Sequence, residues 1–370
     1  MRVEVVELRA VELPLRFSFE TSFGREETKR AILVAAYADG LVGWGEVPVS
    51  GAPLYNEETI ETAWHVLRDF LIPLGLREPI EHPSDLPGRV ARIRRHHMAK
   101  SGLEGALWDL ACQQEGISLA EALGGVRERV EVGVSLGIEP TVPDLLRRIE
   151  AFAAQGYRRV KIKIRPGWDV EVVQAVRRVF PKLPLQVDAN SAYTLQDAPI
   201  FEAMDEWGLL MIEQPLAEDD LVDHAHLQKR LRTSVCLDES IVHPHHARQA
   251  IELGSCRVVN IKPARLGGLS AARATHDLCA AHKVPVWCGG MLETGIGRLG
   301  NLALASLPNF RLPADLSASD RYFEEDLIDP PVRLNPDGTI DVPREIGIAP
   351  RVNLSRVERV TIRRERVRVR

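Results

Sequence analysis

The chain has little cysteine, and the five cysteines it does have are not spaced for disulfides or for a metal cluster. They are an odd number without Cys-x-x-Cys spacing, and each lies in an apolar stretch: Cys112, Cys236, Cys256, Cys279 and Cys288. This pattern predicts reduced, buried thiols. The sequence also lacks an apolar run approaching about 18 residues, and its N-terminal stretch has no apolar signal core. We therefore expect a cytoplasmic protein without a membrane partner.

The net charge of the chain is -5, which gives no indication of a nucleic-acid partner. Hydrophobic residues make up 45% of the chain and charged residues 27%, as in globular proteins that bury a large core. At 370 residues, the chain is long enough for more than one domain. No nucleic-acid partner is expected.

Lysine is scarce, because only eight of the 47 basic residues are lysines and the rest are arginines. Three of the eight, Lys161, Lys163 and Lys262, lie in apolar runs that read as strands. Lysine can lose its proton in a suitable environment, whereas arginine cannot. Keeping lysine at these positions therefore indicates proton transfer, although ordinary surface lysines are the simpler alternative.

The first part of the chain predicts an antiparallel meander followed by helices. Asp39-Gly40 between two apolar runs is a strong hairpin signal. Asn56 is the predicted N-cap of the first helix, and Ser118 that of a short later one. Strands followed by helices are typical of an α+β domain.

From about residue 131 the pattern changes to alternating strands and helices, which predicts a parallel (β/α)8-type barrel, with an open doubly wound sheet as the alternative. The predicted strands are Glu131–Gly137, Arg159–Ile164, Leu185–Asp188, Leu209–Glu213, Val235–Asp238, Val258–Lys262 and Val284–Cys288, with a weaker eighth near Asn309–Leu312.

Five ionisable residues end successive predicted strands at nearly constant spacing. They are Lys163, Asp188, Glu213, Asp238 and Lys262, with steps of 25, 25, 25 and 24 residues. One strand, one helix and two loops take about 25 to 30 residues in such a barrel, and its active site lies at the carboxyl ends of the strands. We therefore expect all five side chains to meet at one end of the barrel.

Three carboxylates without histidine or cysteine form a hard oxygen site, which suits Mg²⁺, with Mn²⁺ or another divalent ion as alternatives. The simpler interpretation is that each acid is a helix cap or part of an ion pair. A lysine on either side of the acids would approach a bound carboxylate substrate from opposite faces. A divalent ion would stabilise the enediolate formed when a carbon beside that carboxylate is deprotonated. Burial near cations would lower the lysine pKa.

At these residues the chain resembles the enolase superfamily, muconate-lactonizing subgroup. The matching motifs are Lys161-Ile-Lys163, Asp188-Ala-Asn190, Ile212-Glu213-Gln214-Pro215, Leu237-Asp238-Glu239-Ser240 and Asn260-Ile-Lys262. Sites of this superfamily use a lysine or histidine base with Mg²⁺. The resemblance implies a modified TIM barrel, (β/α)7β, over 127–320, with an α+β capping domain over 1–126 that residues 321–370 complete. It also implies a homo-oligomer.

Within the subgroup, the chain is most similar to the o-succinylbenzoate synthases that also racemise N-succinylamino acids or other N-acylamino acids. The resemblance rests largely on the segments 19–24, 133–137, 165–169 and 287–297. It implies a small carboxylate substrate, Lys163 as the base in a syn-dehydration and Lys262 as the cation that stabilises the enediolate. In racemisation both lysines would act as acid and base. Asp188, Glu213 and Asp238 would be the metal ligands.

The same resemblance implies further contacts around the substrate. The residues expected to touch it are Ser135, Lys161, Asn190, Gly290, Met291, Phe19, Phe23 and Tyr55, and those expected behind them are Glu239, Arg265 and Glu293. For the three aromatics, the alternative is packing within the cap. For Arg265, an exposed position on the surface is an equal alternative.

Two absences narrow the choice of reaction. The eighth-strand region, 313–320, has no Asp-x-Asp pair of the kind that holds the substrate ammonium in dipeptide epimerases. Lys262 stands where mandelate-type members have a histidine. The expected function is therefore an o-succinylbenzoate synthase of menaquinone synthesis, with N-succinylamino acid racemisation as a second activity. A dedicated racemase, a muconate-type cycloisomerase and a catalytically silent metal-binding barrel are the alternatives.

Overall fold

The computed structural model describes residues 1–22 and 24–369 as a cap stacked on a parallel barrel. The cap sheet is antiparallel in the order β13-β1-β2-β3, and a two-stranded sheet pairs β12 with β4. The strands outside the barrel are β1 (Val5–Thr21), β2 (Gly24–Ala38), β3 (Leu41–Val47), β4 (Arg129–Glu131), β12 (Thr339–Asp341) and β13 (Thr361–Arg368). The C-terminal strand β13 thus returns to the cap, where Val6 faces Val367.

Seven parallel strands form the barrel sheet in the order β11-β10-β9-β8-β7-β6-β5. They are β5 (Val134–Leu136), β6 (Val160–Lys163), β7 (Leu185–Asp188), β8 (Ile212–Glu213), β9 (Val235–Leu237), β10 (Val258–Ile261) and β11 (Val286–Cys288). All their residues are buried, as expected for a parallel sheet covered on both faces. The predicted α/β fold, a modified TIM barrel with an antiparallel capping domain, is confirmed.

The weak eighth strand predicted near Asn309–Leu312 is present only as an irregular segment. Phe310 forms a parallel bridge to Val286 on one side, and Ala314 forms one to Val132 on the other. Because these contacts join the last barrel strand to the region just before the first, they close the ring.

Helices connect the barrel strands and cover the outer face of the cap sheet. They are α1 (Ile60–Val66), α2 (Ile72–Gly75), α3 (Leu86–Arg89), α4 (His97–Glu115), α5 (Leu119–Leu123), α6 (Val142–Ala154), α7 (Val170–Val179), α8 (Ala198–Met204), α9 (Leu221–Arg230), α10 (Pro244–Leu253), α11 (Pro263–Leu266), α12 (Leu269–Ala281), α13 (Gly295–Ala305) and α14 (Leu354–Val360). Ser118 caps α5 as predicted. The prediction of Asn56 as the first N-cap is wrong, because Thr59 caps α1.

The strand β2 separates two cores, because its side chains alternate between the faces of the cap sheet. Ile32 and Val34 pack with the cap helices, whereas Leu33 and Ala35 pack with the barrel. One face of the cap sheet is therefore part of the barrel core. The five cysteines are buried free thiols. None of the helices within the described ranges has the length and apolarity needed to cross a bilayer.

Candidate active site

The five spaced residues do lie together at the carboxyl ends of the barrel strands. In the sheet, Lys163 is paired with Asp188, and Asp188 with Glu213. Asp238 follows β9 directly and Lys262 follows β10. The fixed spacing therefore places one charged group on each of five neighbouring strands.

Each of the three carboxylates is buried, and each is bound by a cation. The Nζ of Lys163 lies 2.7 Å from Asp188 Oδ2, and the Nζ of Lys262 lies 2.7 Å from Asp238 Oδ2. Between them, Lys161 Nζ lies 2.9 Å from Glu213 Oε2. The site therefore alternates negative and positive groups that are almost fully buried, where such interactions are strong.

Lys161 lies at the centre of this network rather than at its edge. Its Nζ also lies 3.1 Å from Asp188 Oδ2 and 2.9 Å from Asp315 Oδ2, above the ring of Trp287. Asp315 in turn is bound by the buried guanidinium of Arg159 at 3.1 Å. Lys161 is thus held by three carboxylates, which fixes its side chain as a positive charge beside Lys163.

The carboxylates differ in how their surroundings affect ionisation. Burial opposes ionisation of Asp188, but the charges of Lys163 and Lys161 outweigh it and hold its pKa below the ordinary value. For Glu213, burial and the neighbouring charge of Asp188 raise the pKa. Burial and Asp188 do the same for Glu239. The acids are thus crowded together, and each favours a nearby positive charge.

Lys262 differs from the expectation that burial lowers its pKa. Burial does act in that direction, but Tyr55, Glu239 and Glu213 outweigh it and raise the pKa of Lys262. The lysine donates to the Tyr55 hydroxyl at 3.2 Å and its Nζ lies 4.8 Å from the centre of that ring. The surrounding side chains therefore keep Lys262 positively charged.

The three carboxylates form a donor set that fits a hard divalent cation. In the structure, lysine and arginine side chains bind these carboxylates. Within residues 1–22 and 24–369, no group of three His, Cys, Asp or Glu side chains is arranged as a ready metal cage. Three buried carboxylates from adjacent strand ends are nevertheless the ligands that such ions prefer. Glu239 adds a buried Oε2 that has no hydrogen-bond partner among the described residues. Asp188, Glu213 and Asp238 are the residues that would hold the ion.

Two polar side chains connect the strand ends. Asn190 accepts from Lys163 Nζ at 2.6 Å and donates to Glu239 Oε1 at 2.8 Å. Its φ of 43° is a left-handed conformation, which asparagine adopts more readily than most residues. Glu213 accepts from Asn260 at 2.8 Å. These contacts restrict the side chains on which the chemistry would depend.

Arg265 is buried rather than a surface residue. Its guanidinium binds Asp238 Oδ1 and the carbonyls of Ile241 and Asn260. It therefore holds Asp238 through the carboxylate oxygen that Lys262 does not bind. Glu293 does not reach Lys262, because its carboxylate accepts from the Met291 backbone and from Asn301, at 2.8 and 2.9 Å. It anchors the loop after β11.

A cavity of about 580 Å³ opens above the lysines, between the barrel and the cap. Of the predicted substrate contacts, those that line it are Phe19, Tyr55, Ser135, Lys161, Asn190, Gly290 and Met291, together with both catalytic candidates, Lys163 and Lys262. Ser135 presents a buried hydroxyl that has no partner among the described residues. Phe23, also predicted to contact substrate, lies outside the described residues.

Two buried charged residues that line the cavity are not among those predicted from the sequence. Asp315 lies in the region 313–320, which lacks an Asp-x-Asp pair, and it binds Lys161. Lys29 lines the cavity and is buried. The sequence did contain a signal for Lys29, because this residue is one of only eight lysines and lies two residues before the apolar run of β2.

Comparison with known proteins identifies related chains over almost the whole length. Residues 3–124 match the family described as mandelate racemase / muconate lactonizing enzyme, N-terminal domain, and residues 144–355 match the enolase C-terminal domain-like family. The o-succinylbenzoate synthase of Geobacillus stearothermophilus is 55% identical over 98% of this chain and 96% of that protein. The N-succinylamino acid racemase of Thermus thermophilus is 48% identical over 98% of each chain. A solved enolase superfamily member from Listeria innocua, 40% identical, superposes with a TM-score of 0.96 over 100% of both chains.

Proposed function

Because this chain belongs to the enolase superfamily, with the N-terminal domain of the mandelate racemase and muconate lactonizing enzymes, we propose that it is a Mg²⁺-dependent o-succinylbenzoate synthase. The single observation that carries this proposal is the placement of Lys163 and Lys262 on opposite sides of three buried carboxylates, facing one cavity. Relatives at 48 to 55% identity carry the names o-succinylbenzoate synthase and N-succinylamino acid racemase. The reaction would serve menaquinone synthesis.

Lys163 is the proposed base of the dehydration. Its Nζ lines the cavity and contacts Asp188 and Asn190, so it is held within reach of a substrate carbon acid. As the proton leaves this carbon, negative charge develops on the adjoining carboxylate, and Lys262 on the opposite side stabilises that charge as a cation. Loss of the neighbouring hydroxyl, protonated on the same face by the ammonium form of Lys163, then completes a syn-elimination.

A divalent ion bound by Asp188, Glu213 and Asp238 would supply further positive charge to the substrate carboxylate and so make the carbon acid easier to ionise. We propose Mg²⁺ as this ion because the ligand set is all oxygen. Arg265 and Asn260 would keep Asp238 and Glu213 oriented. The homo-oligomeric state, the cytoplasmic location and the domain limits at residues 126 and 320 stay predictions.

N-succinylamino acid racemisation is the second candidate function, and the facing lysines favour it specifically. A racemase needs one group to remove the α-proton and another to return a proton to the opposite face. Lys163 and Lys262 provide these two groups from strands on either side of the carboxylates. Asp315 is bound by Lys161 and Arg159, and so it is not free to hold the ammonium group of a dipeptide.

One experiment tests the enzyme assignment. The protein is incubated in D₂O with Mg²⁺ and an N-succinylamino acid, and in parallel with 2-succinyl-6-hydroxy-2,4-cyclohexadiene-1-carboxylate. We expect exchange of the α-proton in the first reaction, dehydration in the second, and loss of both after chelation with EDTA. Absence of exchange together with absence of dehydration would contradict the proposal. Dehydration without exchange would restrict it to the synthase.

A further inference from the structure

Lys29 is a buried cation that the dehydration described above does not use. It lies on β2, and only 2% of the residue is exposed. Its Nζ donates to two backbone carbonyls, at 3.0 Å to Pro48 of the cap and at 2.9 Å to Met291 of the loop after β11. Among the described residues, no carboxylate forms an ion pair with it. At hydrogen-bond distance, its positive charge is therefore met by carbonyl dipoles rather than by a carboxylate.

The position of Lys29 on β2 directs it towards the substrate cavity. Ala31, Leu33 and Ala35 face the barrel core, and Lys29 precedes Ala31 by two residues on the same face. It lines the same cavity as Lys163 and Lys262. A lysine ammonium has three donors, and the carbonyls of Pro48 and Met291 occupy two of them. One N–H therefore remains for a group in the cavity.

A buried ammonium without a counter-ion is costly, so the fold gains if an anion joins it. Within the protein, the charge of Lys29 acts on the carboxylate of Glu46 without forming an ion pair with it. Its oxygens are already occupied, since they accept from Thr294 N and Oγ1 and from Gly297 N at 2.6 to 3.0 Å. Burial also raises the pKa of Glu46 to about 7, which weakens it as a permanent counter-ion. The missing negative charge is therefore left for a ligand.

The carbonyl partner of Lys29 belongs to a loop that is held from both sides. Met291 O accepts from Lys29, while Met291 N donates to Glu293 Oε2 at 2.8 Å. Met291 itself lines the cavity. Lys29 is thus positioned at the cap side of the cavity, whereas the carboxylate next to the reacting carbon belongs at the barrel side, with Lys163 and Lys262.

We propose that Lys29 binds the second carboxylate of the substrate, the one at the end of its acyl arm, so that the cavity selects dicarboxylates over substrates with a neutral acyl group of the same shape. This assignment rests on the proposed function, because it takes the reacting carboxylate to lie between the two catalytic lysines. Lys29 is then a specificity-determining residue.

The test compares an N-succinylamino acid with its N-succinamoyl analogue, in which a neutral amide replaces the distal carboxylate. The wild-type protein should prefer the charged arm by about ten- to a hundred-fold in kcat/KM, the size expected for a hydrogen bond to a charged group. Lys29→Met should reduce this preference to about one, chiefly through KM for the charged substrate. Lys100→Met is the matched control, because Lys100 also donates to a backbone carbonyl, that of Ile93, but does not line the cavity. It should keep the wild-type preference.

Two results would overturn the assignment. An equal fall for both substrates in Lys29→Met would show that the lysine only ties the cap to the loop. A wild-type protein that does not prefer the charged arm would also contradict the assignment. This measurement needs no variant, so it decides even if Lys29→Met fails to fold. If the wild type turned over neither substrate, racemisation would be excluded and the dehydration assay would decide the proposed function separately, while calorimetric binding of the same two ligands would still decide whether Lys29 recognises the distal carboxylate.

Discussion

At the scale of single residues, the two proposed catalytic lysines have different surroundings. Among the described residues, the hydrogen-bond partners of Lys163 Nζ are oxygen atoms of Asp188 and Asn190. Lys262 also contacts a carboxylate, that of Asp238, but in addition it lies over the ring of Tyr55. The face of an aromatic ring attracts a lysine ammonium and an arginine guanidinium alike. For the dehydration, the first position therefore suits the group that exchanges a proton, and the second suits the group that contributes a positive charge.

These surroundings predict unequal effects of arginine at the two sites. Lys163→Arg should lower kcat for dehydration by about 10²- to 10⁴-fold, because arginine cannot act as a base. Lys262→Arg should keep more of the activity, since a positive charge remains beside the developing anion. Steady-state kinetics of the dehydration measures both, with melting curves to show that each variant is folded. Similar residual activity in the two variants would contradict the division of roles.

At the scale of secondary-structure elements, the cap depends on a close approach between β3 and α4. A side chain at Gly45 would place its Cβ 2.1 Å from the carbonyl oxygen of Gly102. The same holds for Gly43 against Ala106. Because both neighbours are backbone, they cannot move aside as a side chain would. The glycines of β3 therefore determine how closely the helix packs on the cap sheet.

Replacing one of these glycines should loosen this contact. Gly45→Ala should lower the free energy of unfolding by about 1–3 kcal/mol, as overpacking of a dense core does. Gly300→Ala in α13 is the control, because nothing lies within 4 Å of its added methyl group, and it should raise stability by about 0.5–1 kcal/mol. Denaturant titration measures both changes. A Gly45→Ala protein as stable as the wild type would show that α4 can move away from β3.

At the scale of the whole molecule, buried carboxylates of the cap join it to the rest of the chain by binding backbone N–H groups. Glu46 accepts from the first turn of α13, and Glu104 accepts from Ser270 N at the start of α12. Asp109 accepts from Ile348 and Ala349 in the C-terminal segment. The positive ends of helices and unpaired N–H groups favour such carboxylates. The cap is therefore connected to the barrel by polar contacts as well as by the shared apolar core.

This connection makes stability depend on pH. Burial raises the pKa of Glu104 from 4.5 to about 7, and its Oε1 has no hydrogen-bond partner among the described residues. The folded protein thus holds a proton that the unfolded chain loses above about pH 4.5. The stability from this group is complete below that pH and is lost as the pH rises through about 7, a fall on the order of 1–3 kcal/mol.

Glu104→Gln should remove this part of the pH dependence. Relative to the wild type, the variant should gain stability between about pH 5 and about pH 8, because glutamine stays neutral where the glutamate becomes charged. Denaturation at the two pH values measures the difference. Glu150→Gln, at an exposed position on α6, is the control and should change stability equally at both. A constant difference between Glu104→Gln and the wild type would contradict the role of burial.

The sequence by itself determined the barrel and the arrangement of its charged rim. A parallel strand buried on both faces needs a continuous apolar run, and one strand–helix unit has a nearly fixed length. Steps of 24 or 25 residues therefore place Lys163, Asp188, Glu213, Asp238 and Lys262 at one end. The Asp39-Gly40 hairpin was equally local, because both residues need positive φ, observed at 53° and 77°. Such features depend on neighbours in the chain, which a sequence displays directly.

Only the tertiary structure decided which charges neutralise one another and which remain unpaired. Asp315 meets Lys161 across 154 residues, and Lys29 reaches Met291 across 262 residues, contacts that no local pattern encodes. Thr59 rather than Asn56 caps the first helix, because the side chain of Thr59, together with that of Thr62, completes the capping box. The eighth strand is reduced to two bridges that need both of its neighbours in place. Long-range electrostatic balance is a property of the assembled fold, and so the buried, uncompensated charge of Lys29 became visible only there.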